Sequence, residues 1–135
     1  MSPILVDSNV LLDVITEDQR WFSWSSAALA RAVESSGLFI NPIVYAEISV
    51  RFSRIEELEE TLPRSMIARE PIPYEAAFLA GKVFLAYWRA GGTRTAPLPD
   101  FFIGAHAAVS GSRLLTRDAA RYRSYFPTLK LIAPD

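Results

Sequence analysis

The sequence predicts an α/β sandwich built on a largely parallel sheet. Three observations predict it. Short apolar runs at Ile4-Leu5-Val6, Leu38-Phe39-Ile40 and Leu114-Leu115-Thr116 have the length and composition of buried strands. Longer stretches with helical spacing, bounded by start and stop signals, lie between them. The two kinds of segment alternate along the whole chain, which calls for parallel strands joined by right-handed crossovers.

Each element has its own local reason. Ile4-Leu5-Val6 ends at Asp7, and Asn9 to Ile15 reads as a short helix. Arg20 to Ser36 carries Ala27, Ala28, Leu29, Ala30 and Val33 and stops at Gly37, a helix terminator. After the strand Leu38–Ile40, Asn41-Pro42 supplies an N-cap and a proline at the first helical position. That helix runs through Ile43, Val44, Glu47, Ile48 and Val50. Ser53-Arg54-Ile55-Glu56 has the form of a capping box, opening a helix with Ile55, Leu58 and Leu62 inward and Pro63 just beyond. Met66-Ile67-Ala68 is a further strand candidate. Tyr74 to Ala90 is an apolar helix ending at Gly91-Gly92, and Thr93 to Pro97 reads as loop. Pro99 to Ser110 is a helix stopped by Gly111. Ala119 to Tyr122 makes a helical turn or two, and Leu129 to Ile132 a last strand.

Composition narrows the function. The 135 residues suit one domain, and an apolar share of 50% is enough to bury a core. There is no cysteine, so disulfides and thiolate metal sites are excluded, and a reducing, cytoplasmic setting fits. The N-terminal stretch lacks a basic segment and meets acids at Asp7 and Asp13, so it does not read as a signal peptide. The most apolar stretch, Ala76 to Trp88, is broken by Lys82 and is shorter than a membrane span. Net charge is −1, and twelve of the fourteen basic residues are arginine, the side chain suited to forked phosphate contacts.

The residues with chemical promise are acids. Asp7, Asp100 and Asp118 each stand where a helix starts, and each alone is explained by capping or by the helix dipole. Glu47 is harder to explain. Its helical neighbours Ile43, Val44 and Val50 are apolar, so it either pairs with Arg51 or points into a cleft. In a parallel sheet the four positions can converge at one edge. Two carboxylates about 4 Å apart repel by about 4 kcal/mol at an effective dielectric near 20. A hard divalent cation would relieve this, and could polarise a phosphoryl oxygen and activate water. Asn9 and Thr116 lie beside Asp7 and Asp118 as caps or as orienting partners. Arg117, Arg121 and Arg123 flank Asp118 and are either surface arginines or RNA contacts. Glu56, Glu57, Glu59 and Glu60 read as a solvated helix face. Trp21, Phe22 and Trp24 divide between core and a covered surface. The one histidine, His106, sits among alanines and reads as packed, so a two-histidine ribonuclease mechanism is impossible.

At this point the segments resemble a known family. Leu5-Val6-Asp7-Ser8-Asn9-Val10-Leu11-Leu12, Tyr45-Ala46-Glu47-Ile48, Leu98-Pro99-Asp100-Phe101-Phe102-Ile103-Gly104-Ala105-His106-Ala107 and Leu114-Leu115-Thr116-Arg117-Asp118 resemble the PIN-domain family. Within it they resemble the VapC-type toxins of type II toxin–antitoxin pairs. The tail from Phe126-Pro127 to Leu131-Ile132-Ala133-Pro134 is similar as well, so the likeness covers essentially the whole chain, residues 1–135, as a single PIN domain. The resemblance implies a PIN-like three-layer α/β/α sandwich with a central, mainly parallel sheet of four to five strands. It implies an endoribonuclease that cleaves RNA, such as tRNA or rRNA, through metal-activated water, with Mg²⁺ or Mn²⁺ as cofactor. Its metal-holding catalytic acids carry over to Asp7, Glu47, Asp100 and Asp118, and its supporting polar positions to Asn9 and Thr116. It implies a small VapB-like antitoxin and a homodimer, while the short apolar stretches lead us to expect no membrane association. The departure is the mildly acidic pI of about 5.8. The competing reading is a non-cleaving PIN-like module that binds RNA or protein. A phospho-acceptor domain would need an acid after the third strand, where Arg69 stands, and a dehalogenase-type phosphatase would need an Asp at Asn9.

Overall fold

Five short strands, β1 (Ile4–Val6), β2 (Leu38–Ile40), β3 (Ile67–Arg69), β4 (Leu114–Leu115) and β5 (Leu131–Ile132), pair side by side in the order β3-β2-β1-β4-β5 in a computed structural model that describes residues 2–93 and 98–135. All four pairings are parallel. β1 is central and wholly buried, as an all-apolar strand covered on both faces must be. Seven helices among the described residues fill the crossovers: α1 (Ser8–Ile15), α2 (Phe22–Ser35), α3 (Pro42–Ser49), α4 (Ile55–Thr61), α5 (Tyr74–Arg89), α6 (Pro99–Ser110) and α7 (Ala119–Tyr125). The chain steps outward from β1 to β3, then returns to the other side of β1. Right-handed crossovers therefore put the helices before and after β3 on opposite faces, which makes three layers.

The local signals act as the sequence predicts at most ends. Asn41 caps α3, its side chain accepting from Val44 N at 3.0 Å with Pro42 first in the helix. Gly37 (φ 82°) and Gly111 (φ 68°) take the left-handed conformation that ends α2 and α6. The capping box needs correction. The N-cap is Arg54, one residue later than Ser53, and only half of the box forms, with Glu57 accepting from Arg54 N at 3.0 Å. α7 makes about two turns but ends at Tyr125 rather than Tyr122, β5 is shorter than Leu129–Ile132, and the sheet is wholly rather than mainly parallel. The loop expected at Thr93 to Pro97 falls, beyond Thr93, outside the described residues. No helix among the described residues is long and apolar enough to cross a membrane.

The strand order fixes where a site can form. The chain leaves β1 toward β2 on one side, and β4 joins β1 on the other. The carboxyl ends of β1 and β4 therefore flank the point where strand order reverses, and a crevice opens there in sheets of this kind.

Candidate metal centre

Register brings the first two site residues together. Leu5 pairs with Leu114 and Val6 with Leu115, so one residue further Asp7 lies beside Thr116. Backbone bonds hold both in place, from Asp7 N to Leu115 O (2.9 Å) and from Thr116 N to Ile132 O (3.0 Å). Both side chains are buried. Asp7 Oδ2 accepts from Thr116 Oγ1 at 2.8 Å, from Tyr122 Oη at 3.0 Å and from Asn9 Nδ2 at 3.3 Å. Its Oδ1 accepts from Ser8 N at 2.8 Å, so Asp7 also caps α1. Thr116 Oγ1 in turn accepts from Asp118 N at 3.0 Å and Asn9 Nδ2 at 3.4 Å, and Asn9 Oδ1 accepts from Arg117 N at 3.2 Å. Asn9 and Thr116 thus both touch Asp7 and tie it to the loop that carries Asp118.

The other acids arrive on three helices. Glu47 on α3 turns toward β1, and its Oε1 accepts from Ser8 Oγ at 2.8 Å. Ser8, not Arg51, is its partner, so the bland sequence reading of an i+4 ion pair does not hold. Asp100 sits in the first turn of α6, where its charge suits the helix dipole. Its Oδ1 lies 3.4 Å from Tyr122 Oη. Tyr122 therefore stands between Asp7 and Asp100, itself 1% exposed. Asp118 is the N-cap residue of α7. Helical spacing places Arg121 and Tyr122, three and four residues on, on the same side as Asp118. Arg121 Nη1 donates to Asp100 Oδ2 at 2.5 Å, and its Nε lies 3.1 Å from Asp118 Oδ2. A cleft of about 480 Å³ opens here, lined by Glu47, Asp100 and Arg121 with the rings of Tyr87 and Tyr125.

A family model for the PIN domain matches residues 4–126. The chain belongs to the PIN domain family. Solved structures share the fold over almost their whole length. VapBC2 from Rickettsia felis, bound to a promoter DNA fragment, is 18% identical with a TM-score of 0.73, and 98% of each chain is covered. A toxin–antitoxin complex from Klebsiella pneumoniae is 20% identical with a TM-score of 0.67, again over 98% of each chain. FitAcB from Neisseria gonorrhoeae is 18% identical with a TM-score of 0.67, over 96% of each chain. No curated protein matches the sequence.

In this PIN domain the acids strain against burial and against one another. Burial raises the Asp7 pKa above its ordinary range; bonds from Thr116 and Tyr122 oppose the rise, and the charge of Asp100 adds to it. Burial also raises Glu47, with the charges of Asp7 and Asp100 in the same direction and Ser8 opposing. Burial, with Asp7 and Asp100 nearby, pushes the Tyr122 hydroxyl far up, so it stays a protonated donor. The donor set is all oxygen and anionic, which suits a hard divalent ion. As the side chains stand, no three acidic or histidine groups among the described residues close around a common point. The positive charge beside Asp100 and Asp118 is the Arg121 guanidinium.

The remaining predicted residues divide. Arg117 is turned inward: its Nε and Nη2 reach Asp13 at 2.7 and 3.0 Å, and its guanidinium lies over Trp21 at 5.2 Å. Asp13 is buried and also accepts from Ser25 Oγ at 2.7 Å. Arg123 is exposed. His106 is buried, edge-on to Phe39. The Asn41 amide oxygen serves Val44 N, so its nitrogen must donate to His106 Nδ1 at 3.1 Å, which fixes a neutral ring. Burial lowers its pKa accordingly. Glu59 is not merely solvated; it accepts from Tyr45 Oη at 2.7 Å and pairs with Arg64 and Arg69. Sequence reading passed over Ser8 and Tyr122. Ser8 sits between two site residues, and Tyr122 lies one helical turn beyond Asp118; those spacings were the available signals.

Proposed function

We propose that this PIN domain is a divalent-metal-dependent endoribonuclease acting as the toxin of a VapBC-type pair. The observation that supports it most is the gathering of Asp7, Glu47, Asp100 and Asp118 at the switch point of the sheet, held there by Thr116, Asn9, Ser8 and Tyr122. Asp7, Asp100 and Asp118 would hold Mg²⁺ or Mn²⁺, with Glu47 beside them. The bound ion would supply Lewis-acid polarisation of the phosphodiester and lower the pKa of a water. Thr116 and Asn9 orient Asp7, and Tyr122 keeps a donor between Asp7 and Asp100 so that the empty cluster is not left to repel itself. Tyr87 and Tyr125 line the cleft, where an aromatic ring could receive a stacked base of a single strand. Cleavage leaves 5′-phosphate and 3′-hydroxyl ends. The toxin–antitoxin complexes of the same fold support a small antitoxin as partner.

The test is induction of the wild type and of Asp7→Ala in cells, with new RNA 5′ ends mapped. Growth arrest with ends at defined sites in the wild type, and their loss in the variant, is the expected result. Growth arrest without new ends would point to a binding module.

A further inference from the structure

Arg121 is the one cation within ion-pair distance of any of the four acids among the described residues, and a single guanidinium spans two of them. It reaches Asp100 through Nη1 and Asp118 through Nε, using carboxylate oxygens that a divalent ion would also use. Arginine cannot leave by losing its proton. It can only swing away, and its side chain, 55% exposed, is free to do so toward solvent. Tyr122, the next residue, is locked in the interior. The two therefore divide the roles: Tyr122 is a fixed donor, and Arg121 a movable charge. Arg121 lines the same cleft as Glu47, Asp100, Tyr87 and Tyr125, so a guanidinium that lets go of the acids is still rooted in the cleft wall. A phosphate of a strand lying there is the nearest acceptor for a released guanidinium fork.

We propose that Arg121 is the resident counter-ion of the Asp100–Asp118 pair, expelled when a divalent ion enters and thereby released to hold an RNA phosphate. This rests on the metal-dependent reading above. Metal and RNA binding are then coupled, each strengthening the other by the same factor. The arrangement also keeps an acid cluster that lacks its ion from repelling itself open.

The experiment uses the full chain stripped of metal by chelation and dialysis. Free Mn²⁺ is followed by electron paramagnetic resonance during titration of the wild type and Arg121→Gln. The variant is expected to bind Mn²⁺ about tenfold more tightly, the scale set by losing two partly exposed ion pairs. In the wild type, the Arg121 Nε–H resonance should shift and exchange faster with water as Mg²⁺ saturates the site. Mg²⁺ should also tighten binding of a non-cleavable 2′-deoxy oligonucleotide, and Arg121→Gln should lose that gain. Equal or weaker Mn²⁺ binding by Arg121→Gln, or an unmoved Nε–H resonance, overturns the proposal while leaving the metal reading intact. No Mn²⁺ binding by either protein overturns both. Should Arg121→Gln fail to fold, Arg121→Lys, whose point charge cannot span both carboxylates, must show the same direction with a smaller gain.

Discussion

Asp7 carries more of the site than any other residue, and its environment makes a pH prediction. Asp7 and Glu47 have folded-state pKa values raised above their ordinary 3.8 and 4.5, chiefly by burial. The folded, metal-free protein thus binds more protons than the unfolded chain between those values and the raised ones. The stability they confer is full below the ordinary values and is lost as pH rises through the raised ones. Glu59 acts in the opposite sense. Its pKa is lowered from 4.5 to about 2, first by the Tyr45 bond, so its contribution is lost only as pH falls through that lower range. Urea midpoints measured in chelator from about pH 5 upward should therefore decline with pH, and Asp7→Asn should flatten that decline. Single residues were partly legible in the sequence. Glu47 stood out because Ile43, Val44 and Val50 surround it. Asp13 did not, because its partner Arg117 lies 104 positions away and no local pattern announces such a pair.

At the scale of elements, α6 and α7 are set against each other by a close approach at Gly104. A β-carbon there would come within 2.4 Å of the Phe126 ring, which is itself buried. Gly104→Ala should therefore destabilise the fold by about 1–3 kcal/mol, read as a lower urea midpoint with unchanged slope. The same packing places Asp100 next to Tyr122, so the variant should also weaken Mn²⁺ binding. Elements were largely legible because their ends carry chemistry: Asn41-Pro42 opens α3, and Gly37 and Gly111 close α2 and α6. Ends without such chemistry were not. The start of α4 is such an end, since its N-cap is Arg54, a residue that cannot cap with its side chain, whereas α7 runs past Tyr122 to Tyr125 because its stop signal is Pro127, just beyond the C-cap Phe126.

The whole molecule decides whether the acids form a site at all. Strand order β3-β2-β1-β4-β5 cannot be read from strands of two or three residues, since any short apolar run pairs with any other. Once β4 lies beside β1, Asp7 and Thr116 are neighbours, and helices α3, α6 and α7 deliver Glu47, Asp100 and Asp118 to the same end. Net charge is −1, so the proposed RNA binding draws no help from the overall charge and would rest on local positive groups. Among the described residues lining the cleft, Arg121 is the positive side chain, and a divalent ion bound as proposed would add to it. The most direct measurement is cleavage of a mixed RNA substrate by the purified protein, with and without Mn²⁺, beside Asp100→Asn of matched circular dichroism. Cleavage that requires Mn²⁺ and falls by more than about 100-fold in Asp100→Asn is the predicted result. Undiminished cutting in chelator, or equal rates for the two proteins, would contradict it.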